Sequence, residues 1–365
     1  MMLTLFFAVY AIFVLLFVIG ILRLKTDRSS QKPFISVLIA ARNEEEMLSG
    51  ILSDLSKQNY PNFEVIVVND RSEDNTEAII DRFYHSDSRF RKLNITSKVE
   101  GVCPKKNAIS KGVEASNGEI ILSTDADCRV SPDWIKTIVS CYEDNTGMVM
   151  GNIFYNTHRK TILQLFQSFD FHTLMICAAG SCGLGYPLAT SGCNLSYRKR
   201  TFTEIGGFSE AFDPTSADDF ALLQLIKHKT SKSIKFCPEP AAEVNTYVET
   251  KLKDFLRQRI RWSQGGSIVF RYEKLLGLFL VVIFAINAFM LAGLIYSITE
   301  PSFFPIYLQF LLLKLVLDGI LGLIGSQRLG HRASMLWFPL WFILSPLYYF
   351  VVGVGTLFAK PRWKG

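Results

Sequence analysis

The sequence predicts an α/β domain with a mostly parallel sheet, flanked by transmembrane helices. Three observations lead there. The long apolar runs of this 365-residue chain lie at its two ends. Between them, short β-branched runs alternate with helical periodicities, the pattern of strands covered by helices. Polar, acid-rich clusters follow the short runs, at the strand ends where ligands of such sheets bind.

Composition narrows the classes. Hydrophobic residues make up 49% and charged residues only 20%, which excludes a disordered chain. The length suits about two domains. Lys and Arg number 39 against 33 Asp and Glu, a formal charge of +6. Basic residues beside membrane spans account for that excess, so no nucleic-acid partner is expected. The seven cysteines are odd in number and form no CxxC pair, which suits reduced cytoplasmic thiols. Asn94-Ile95-Thr96 and Asn194-Leu195-Ser196 match the glycosylation pattern, which means nothing in the cytoplasm.

Residues 1–22 carry no charge and are followed by Arg23, Lys25, Arg28 and Lys32. About 20 apolar residues span a bilayer. Positive charge after the run, not before it, indicates a retained anchor (1–24) whose chain continues into the cytoplasm. Residues 34–40 (FISVLIA) read as the first strand. Residues 44–58 read as a helix, with Met47, Leu48, Ile51, Leu52 and Leu55 on one face. A strand at 63–68, a helix at 76–84, a short strand at 93–96, a helix at 107–115 and a strand at 119–123 follow. No GxxxxGK[ST] loop is present, so a P-loop nucleotidase is not expected.

Residues 158–194 carry the apolar positions Phe166, Phe169, Phe171, Leu174, Met175 and Ile176. They suit either a packing helix or a surface that admits a lipid hydroxyl. Residues 251–263 suit an amphipathic helix at the membrane interface. Three further apolar runs occupy 275–298, 303–324 and 335–358. The turn 299–302 lacks basic residues, whereas Arg328, His331 and Arg332 follow the second run and place that link inside. The basic tail 360–364 leaves the side of the C-terminus open. Lys314 and Asp318 share a helix face within the second of these runs, either as a pair or as contacts for a polar substrate group.

Several acids carry candidate chemistry. Asp125 and Asp127 flank Ala126 at a strand end, and i and i+2 of an extended chain point the same way. Two carboxylates aimed together are unfavourable without a nearby cation. Mg²⁺ commonly joins one or two carboxylates to substrate phosphates, although capping aspartates in a turn give the same spelling. Asp70 ends its strand as a nucleotide contact or a turn residue. Asp218 and Asp219 open a helix, as N-caps or as a place for a general base. Gln258, Arg261 and Trp262 share one helix face. There Arg can grip a phosphate and Trp can face a sugar, or both can be ordinary interface residues.

Taken in order, SVLIAARNEE, VVNDRSEDNT, KKNAISKG, DAD, SGCNLSYRK with GGF, ADDF and QRIRW resemble the membrane-integrated branch of the family 2 glycosyltransferases. The resemblance covers about residues 34–263. ADDF followed by QRIRW is also similar to ceramide glucosyltransferases, hopanoid-linked relatives and cellulose- or hyaluronan-type synthases. The resemblance implies a GT-A nucleotide-diphospho-sugar transferase domain at 33–272, with a donor-binding half at 33–150 and an acceptor half at 151–272, before a transmembrane region at 273–359. It implies an inverting, metal-dependent hexosyltransferase using a nucleotide sugar, a UDP-sugar first, with Mg²⁺ or Mn²⁺.

It also assigns residues. Ala41, Asn43, Glu44 and Asp70 fall on the donor side, with Asn69 where a second acid is common. Lys105 takes the phosphate- or uridine-side lysine, with Lys106 as its substitute. Asp125, Ala126 and Asp127 form the DxD, Asp127 being the nearer metal ligand. Asp219 takes the general base, with Asp218 in place of the commoner Glu. Gln258, Arg261 and Trp262 form QxxRW, which closes on the donor diphosphate and the acceptor. Gly192, Asn194 and Trp262 fall on the acceptor side. The short chain and few spans favour a single transfer to a membrane lipid at the cytoplasmic face of a bacterial inner membrane or its equivalent. The alternative is a processive polysaccharide synthase or translocator. A nucleotidyltransferase, or a transport or scaffold protein that only binds nucleotide, stands further off.

Overall fold

A computed structural model describes residues 2–26, 29–157, 161–208, 218–263 and 273–358. The chain divides into two compact units, Lys25–Asn156 with Ala189–Tyr247, and Met1–Leu24 with Thr157–Leu188 and Val248–Gly365.

The first unit follows the α1 helix (Met2–Arg23) and is built on strands β1 (Ile35–Ala41), β2 (Phe63–Asp70), β3 (Phe90–Ile95) and β4 (Ile120–Asp125). Between them run α2 (Leu48–Ser56), α3 (Thr76–Ser86) and α4 (Pro104–Ala115). The four strands are parallel, and β2 is buried at all eight positions, which explains why its apolar residues do not alternate with exposed polar ones. Beyond them come β5 (Arg129–Val130), α5 (Trp134–Ser140), β6 (Thr146–Gly151) and β7 (Ile153–Asn156). After the chain returns from α6 (Ile162–Gly183), it forms β8 (Leu195–Arg198), α7 (Lys199–Glu204), α8 (Asp218–Lys229), β9 (Ser233–Cys237) and β10 (Val244–Tyr247). The seven-stranded sheet has the order β3-β2-β1-β4-β8-β6-β9, and β8 runs antiparallel to both its neighbours. A second sheet, β5-β10-β7, had no counterpart in the sequence pattern. Register aligns Ala41 with Asn69, Ala40 with Asp125 and Asp70 with Ile95, so the acids stand together at one edge of the sheet.

Among the boundaries that differ from expectation, two have local reasons. The helix expected from 44 starts at Leu48. The Glu44 N–H donates to Thr76 Oγ1 at 2.8 Å and the Glu45 N–H to Asp74 Oδ2 at 3.1 Å, so these amides serve the neighbouring loop. The helix expected from 107 starts at Pro104, where a missing N–H costs nothing. All seven cysteines are free thiols.

The second unit is helical. It contains α1, α6, α9 (Leu252–Ser263), α10 (Lys274–Thr299), α11 (Phe304–Arg328) and α12 (Phe338–Phe358). Among the described residues five helices are long and apolar enough to cross a membrane. Four were expected, and α6 is the fifth. A Cβ added at Gly20 would sit 1.8 Å from the Gly180 carbonyl oxygen, so α1 and α6 meet backbone to backbone. The apolar positions that suit either a packing helix or a lipid-admitting surface are, all but one, turned inward. Phe166, Phe169, Phe171, Met175 and Ile176 are buried, and Leu174 is exposed. Packing between helices, not an open acceptor surface, accounts for that stripe. The span 151–272 therefore runs through both units, with α6 and α9 in the helical one. Pro346 lies inside α12, and the basic tail 360–364 lies outside the described residues.

Candidate active site

The carboxyl edge of the parallel strands is a laced pair of loops. Asn43 and Arg71 adopt left-handed backbone, with φ of 55° and 57°, a conformation costly for most side chains. Hydrogen bonds between the loops hold it. The Asn43 N–H donates to Ser72 Oγ at 3.1 Å, and Asn43 Oδ1 accepts from the Glu73 N–H at 2.9 Å. Asn69 Oδ1 accepts from the Ser72 N–H at 3.2 Å, so the amide standing where a second acid is common shapes this turn. Asp70 is buried and bound by Arg71 through both oxygens, at 2.8 and 3.1 Å.

The DxD is not extended. Strand β4 ends at Asp125, and Ala126 and Asp127 turn away from it, with the Cys128 N–H donating to the Asp125 carbonyl at 3.2 Å. The expected same-face argument for i and i+2 therefore fails, although the two acids still feel each other's charge. Asp125 accepts from Lys105 Nζ at 2.9 Å and from the Cys193 thiol at 3.0 Å. Burial pulls its pKa up, but the Lys105 ammonium and these two hydrogen bonds outweigh burial and hold it below the usual carboxylate range. Asp127 goes the other way: burial first, then the Asp125 charge, raise it. Ala126 is buried between them.

A short 3-10 turn, Gly192–Asn194, joins this acid to the next. The Gly192 N–H donates to Asp219 Oδ2 at 2.9 Å, and the Phe220 N–H donates to Asp219 Oδ1 at 2.8 Å. Asp219 thus lies in the first turn of α8, with a carboxylate that accepts from its own helix and from the 192–194 turn. The side chain of Asp218 lies outside the described residues. Asn194 is turned into the core: Oδ1 accepts from Trp134 Nε1 at 3.1 Å, and Nδ2 donates to the Asn152 and Ala242 carbonyls at 2.7 and 2.8 Å. It reaches the site only through the turn it anchors.

Lys105, Asp125, Gly192 and Asp219 line one cleft, with Ala40 and Phe208 on its walls. Asn43 and Glu44 line a separate, open acidic recess with Glu45 and Glu73. Gln258, Arg261 and Trp262 lie on α9 in the helical unit. Cys193 is the contact that sequence reasoning missed, and nothing in its spelling marks it.

The chemistry of the donor set suits a hard cation. Among the described residues no three His, Cys, Asp or Glu side chains gather as a metal cage. Yet Mg²⁺ needs only one or two carboxylates beside phosphates and water. Asp127, its pKa raised by burial and then by its neighbour's charge, is a carboxylate that a cation would relieve.

A family model, "Glycosyl transferase family 21", matches residues 3–365. The chain belongs to glycosyl transferase family 21. That agrees with the resemblance carried by its motifs. Among curated relatives, the poly-beta-1,6-N-acetyl-D-glucosamine synthase of Staphylococcus epidermidis is 28% identical over 239 residues, 64% of this chain and 55% of that protein. The probable glycosyltransferase YdaM of Bacillus subtilis is 29% identical over 248 residues, 67% of this chain and 57% of that protein. The glycosyltransferase thus spans just over half the length of these relatives. Among solved structures, the mannosyltransferase PcManGT from Pyrobaculum calidifontis, in complex with GDP-Man and Mn²⁺, superposes with a TM-score of 0.59. It is 16% identical, with 98% of this chain and 99% of that chain covered, and it shows the GT-A fold.

Proposed function

We propose that this glycosyltransferase moves a hexose from a nucleotide-diphospho-sugar, a UDP-sugar first, to a growing glycan by inverting displacement. The observation that carries the reading is the turn at 192–194, which holds Asp219 and Asp125 at one cleft. Asp219 removes the acceptor hydroxyl proton. The freed oxygen attacks the anomeric carbon from the face opposite the diphosphate, the new C–O bond forms, and the bond to the diphosphate breaks with inversion. Two amide donors orient the Asp219 carboxylate for that proton. Lys105 and Arg261 balance charge on the leaving diphosphate. Gln258 and Trp262 serve the donor and the acceptor sugar. Asp127, with Asp125, would hold Mg²⁺ or Mn²⁺, whose charge offsets that of the departing diphosphate.

The acceptor reading moves from lipid to glycan on two grounds. The apolar stripe of α6 that suggested a lipid is buried. The Staphylococcus relative is named a synthase of a polysaccharide. The candidate spans α1, α10, α11 and α12 support a multi-pass protein of the bacterial inner membrane or its equivalent, with the α/β unit in the cytoplasm; the chain on both sides of α6 belongs to one sheet, so α6 is not counted as a crossing.

Detergent-purified protein with Mn²⁺, a panel of UDP-, GDP- and dTDP-sugars, short glycan primers and total lipid extract tests this, with products read by mass spectrometry. A ladder of added sugars, absent in Asp219→Asn, is expected. One sugar on a lipid would return the acceptor to the lipid class. No nucleotide release from any donor by folded protein would overturn the transferase reading.

A further inference from the structure

The helix that carries Gln258, Arg261 and Trp262 is braced at three points by one face of α6. Gln167, Asp170 and Phe171 share that face, at i, i+3 and i+4. Gln167 clamps the chain just before α9. Its Nε2 donates to the Glu249 carbonyl at 2.9 Å, and its Oε1 accepts from the Glu249 N–H at 3.1 Å. The Glu249 carboxylate in turn accepts from Gln258 Nε2 at 3.2 Å. One turn further on, Asp170 and Arg259 pair at 3.6 Å, with both side chains buried. Trp341 Nε1 donates to Asp170 at 3.3 Å, and the Tyr348 and Tyr349 hydroxyls donate at 3.2 and 3.3 Å. Indole and guanidinium can only donate, so an ionised, acceptor-only carboxylate fits this cage. The Arg259 guanidinium carbon lies 4.2 Å from the Trp262 ring centroid, and Phe171 meets the same ring at 5.8 Å.

Trp262 keeps 39% of its surface exposed, so this held ring still presents a face to solvent. A cation over an aromatic face contributes more when it is withdrawn from water, as Arg259 is.

We propose that Asp170 is a positioning residue for transfer: it fixes Arg259, and Arg259 fixes the plane of Trp262. Gln167 does the same for Gln258 through Glu249. The inference rests on the transferase reading for its activity arm only. Asp170 touches no substrate, and its effect is on where a sugar-facing ring stands. Misplacement of such a group by about 1 Å lowers turnover up to about 100-fold.

Wild type, Asp170→Asn and the double variant Asp170→Asn/Arg259→Gln test it in detergent, with Trp262→Phe as the reference for fluorescence. In Asp170→Asn turnover falls by about 10- to 100-fold while donor KM stays within about twofold. The double variant removes the uncompensated charge, so its thermal midpoint recovers, but turnover stays low because Trp262 still lacks its cation. An activity-independent arm follows the fluorescence that Trp262→Phe removes, quenched by acrylamide. That component becomes more accessible in Asp170→Asn. Unchanged turnover in Asp170→Asn, turnover restored with stability in the double variant, or unchanged quenching would each overturn the proposal. Absence of transfer in wild type overturns the transferase reading, and the quenching arm still decides the brace.

Discussion

Asp125 and Asp219 are fastened to consecutive residues of one turn: Cys193 donates to the first at 3.0 Å and the Gly192 N–H to the second at 2.9 Å. The acid beside the proposed metal and the proposed base are therefore set by one short piece of backbone. Asn194 anchors that piece through three buried hydrogen bonds. Gly151 makes room for it, since a Cβ there would lie 2.2 Å from Asn194 Nδ2. Asn194→Ala takes this partner from Trp134 Nε1 and from the Ala242 carbonyl, while the Asn152 carbonyl keeps the Val244 N–H; each buried orphan costs about 1–3 kcal/mol. The expected result is a lower thermal midpoint together with lower turnover, although the Asn194 side chain faces away from the cleft. Gly151→Ala should give the same pair of losses, read by thermal unfolding and nucleotide release on the same samples.

Asp219→Asn keeps the shape of the side chain and removes its basicity. A positioned general base contributes about 10²–10⁴-fold, so turnover falls in that range. Nucleotide binding, read by titration calorimetry with UDP and Mn²⁺, stays within about twofold of wild type because Lys105 and Asp127 are untouched, and a general base acts on turnover. Retained turnover would remove Asp219 from the role.

The two acids of the DxD should respond oppositely to neutralisation. The folded-state pKa of Asp125 is lowered, so its charge stabilises the fold above its unfolded pKa, and that contribution is lost as pH falls through the lower folded value. The folded-state pKa of Asp127 is raised. Its contribution is present in acid, below the unfolded value, and is lost as pH rises through the folded one. In chelator-treated buffer at neutral pH, Asp125→Asn should lower the thermal midpoint and Asp127→Asn should raise it. Acidification from above the raised pKa of Asp127 to below its unfolded value should close the second gap. Added Mn²⁺ should raise the midpoint of wild type and leave Asp127→Asn unmoved. Equal shifts of one sign would show that the acids do not differ as described.

Much of this site was legible because it depends on short spans of chain. The short apolar runs of β2 and β4, each ending in an acid, put Asp70 and Asp125 at one sheet edge. What escaped depends on residues far apart in sequence. The amides of Glu44 and Glu45 are held by Thr76 and Asp74, so an apolar periodicity from 44 onward overshot the helix start. Asn194 matched a glycosylation pattern and an acceptor-side motif, yet its amide is held by Trp134, Asn152 and Ala242. The stripe of α6 had the right period for a helix, but periodicity does not say what covers it. Contact between Gly20 and Gly180 helped to decide that.

Lys314 and Asp318 pair at 2.6 Å with side chains only 3% exposed, and the Tyr10 hydroxyl donates to the other Asp318 oxygen. The Lys314 ammonium lies 4.8 Å from the Phe342 ring centroid. Tyr10 and Phe342 both belong to the helical unit, and the Asp318 carboxylate is engaged at both oxygens. This favours a packing pair over a substrate contact. Removing one member of a buried pair leaves an uncompensated charge and costs about 3–5 kcal/mol. Lys314→Met should therefore lower the thermal midpoint sharply. Lys314→Met/Asp318→Asn removes both charges and keeps an acceptor for Tyr10, so the midpoint should recover. Transfer activity should recover with it. A double variant that folds like wild type but transfers at least about tenfold more slowly would instead place the pair on the path of a polar substrate group.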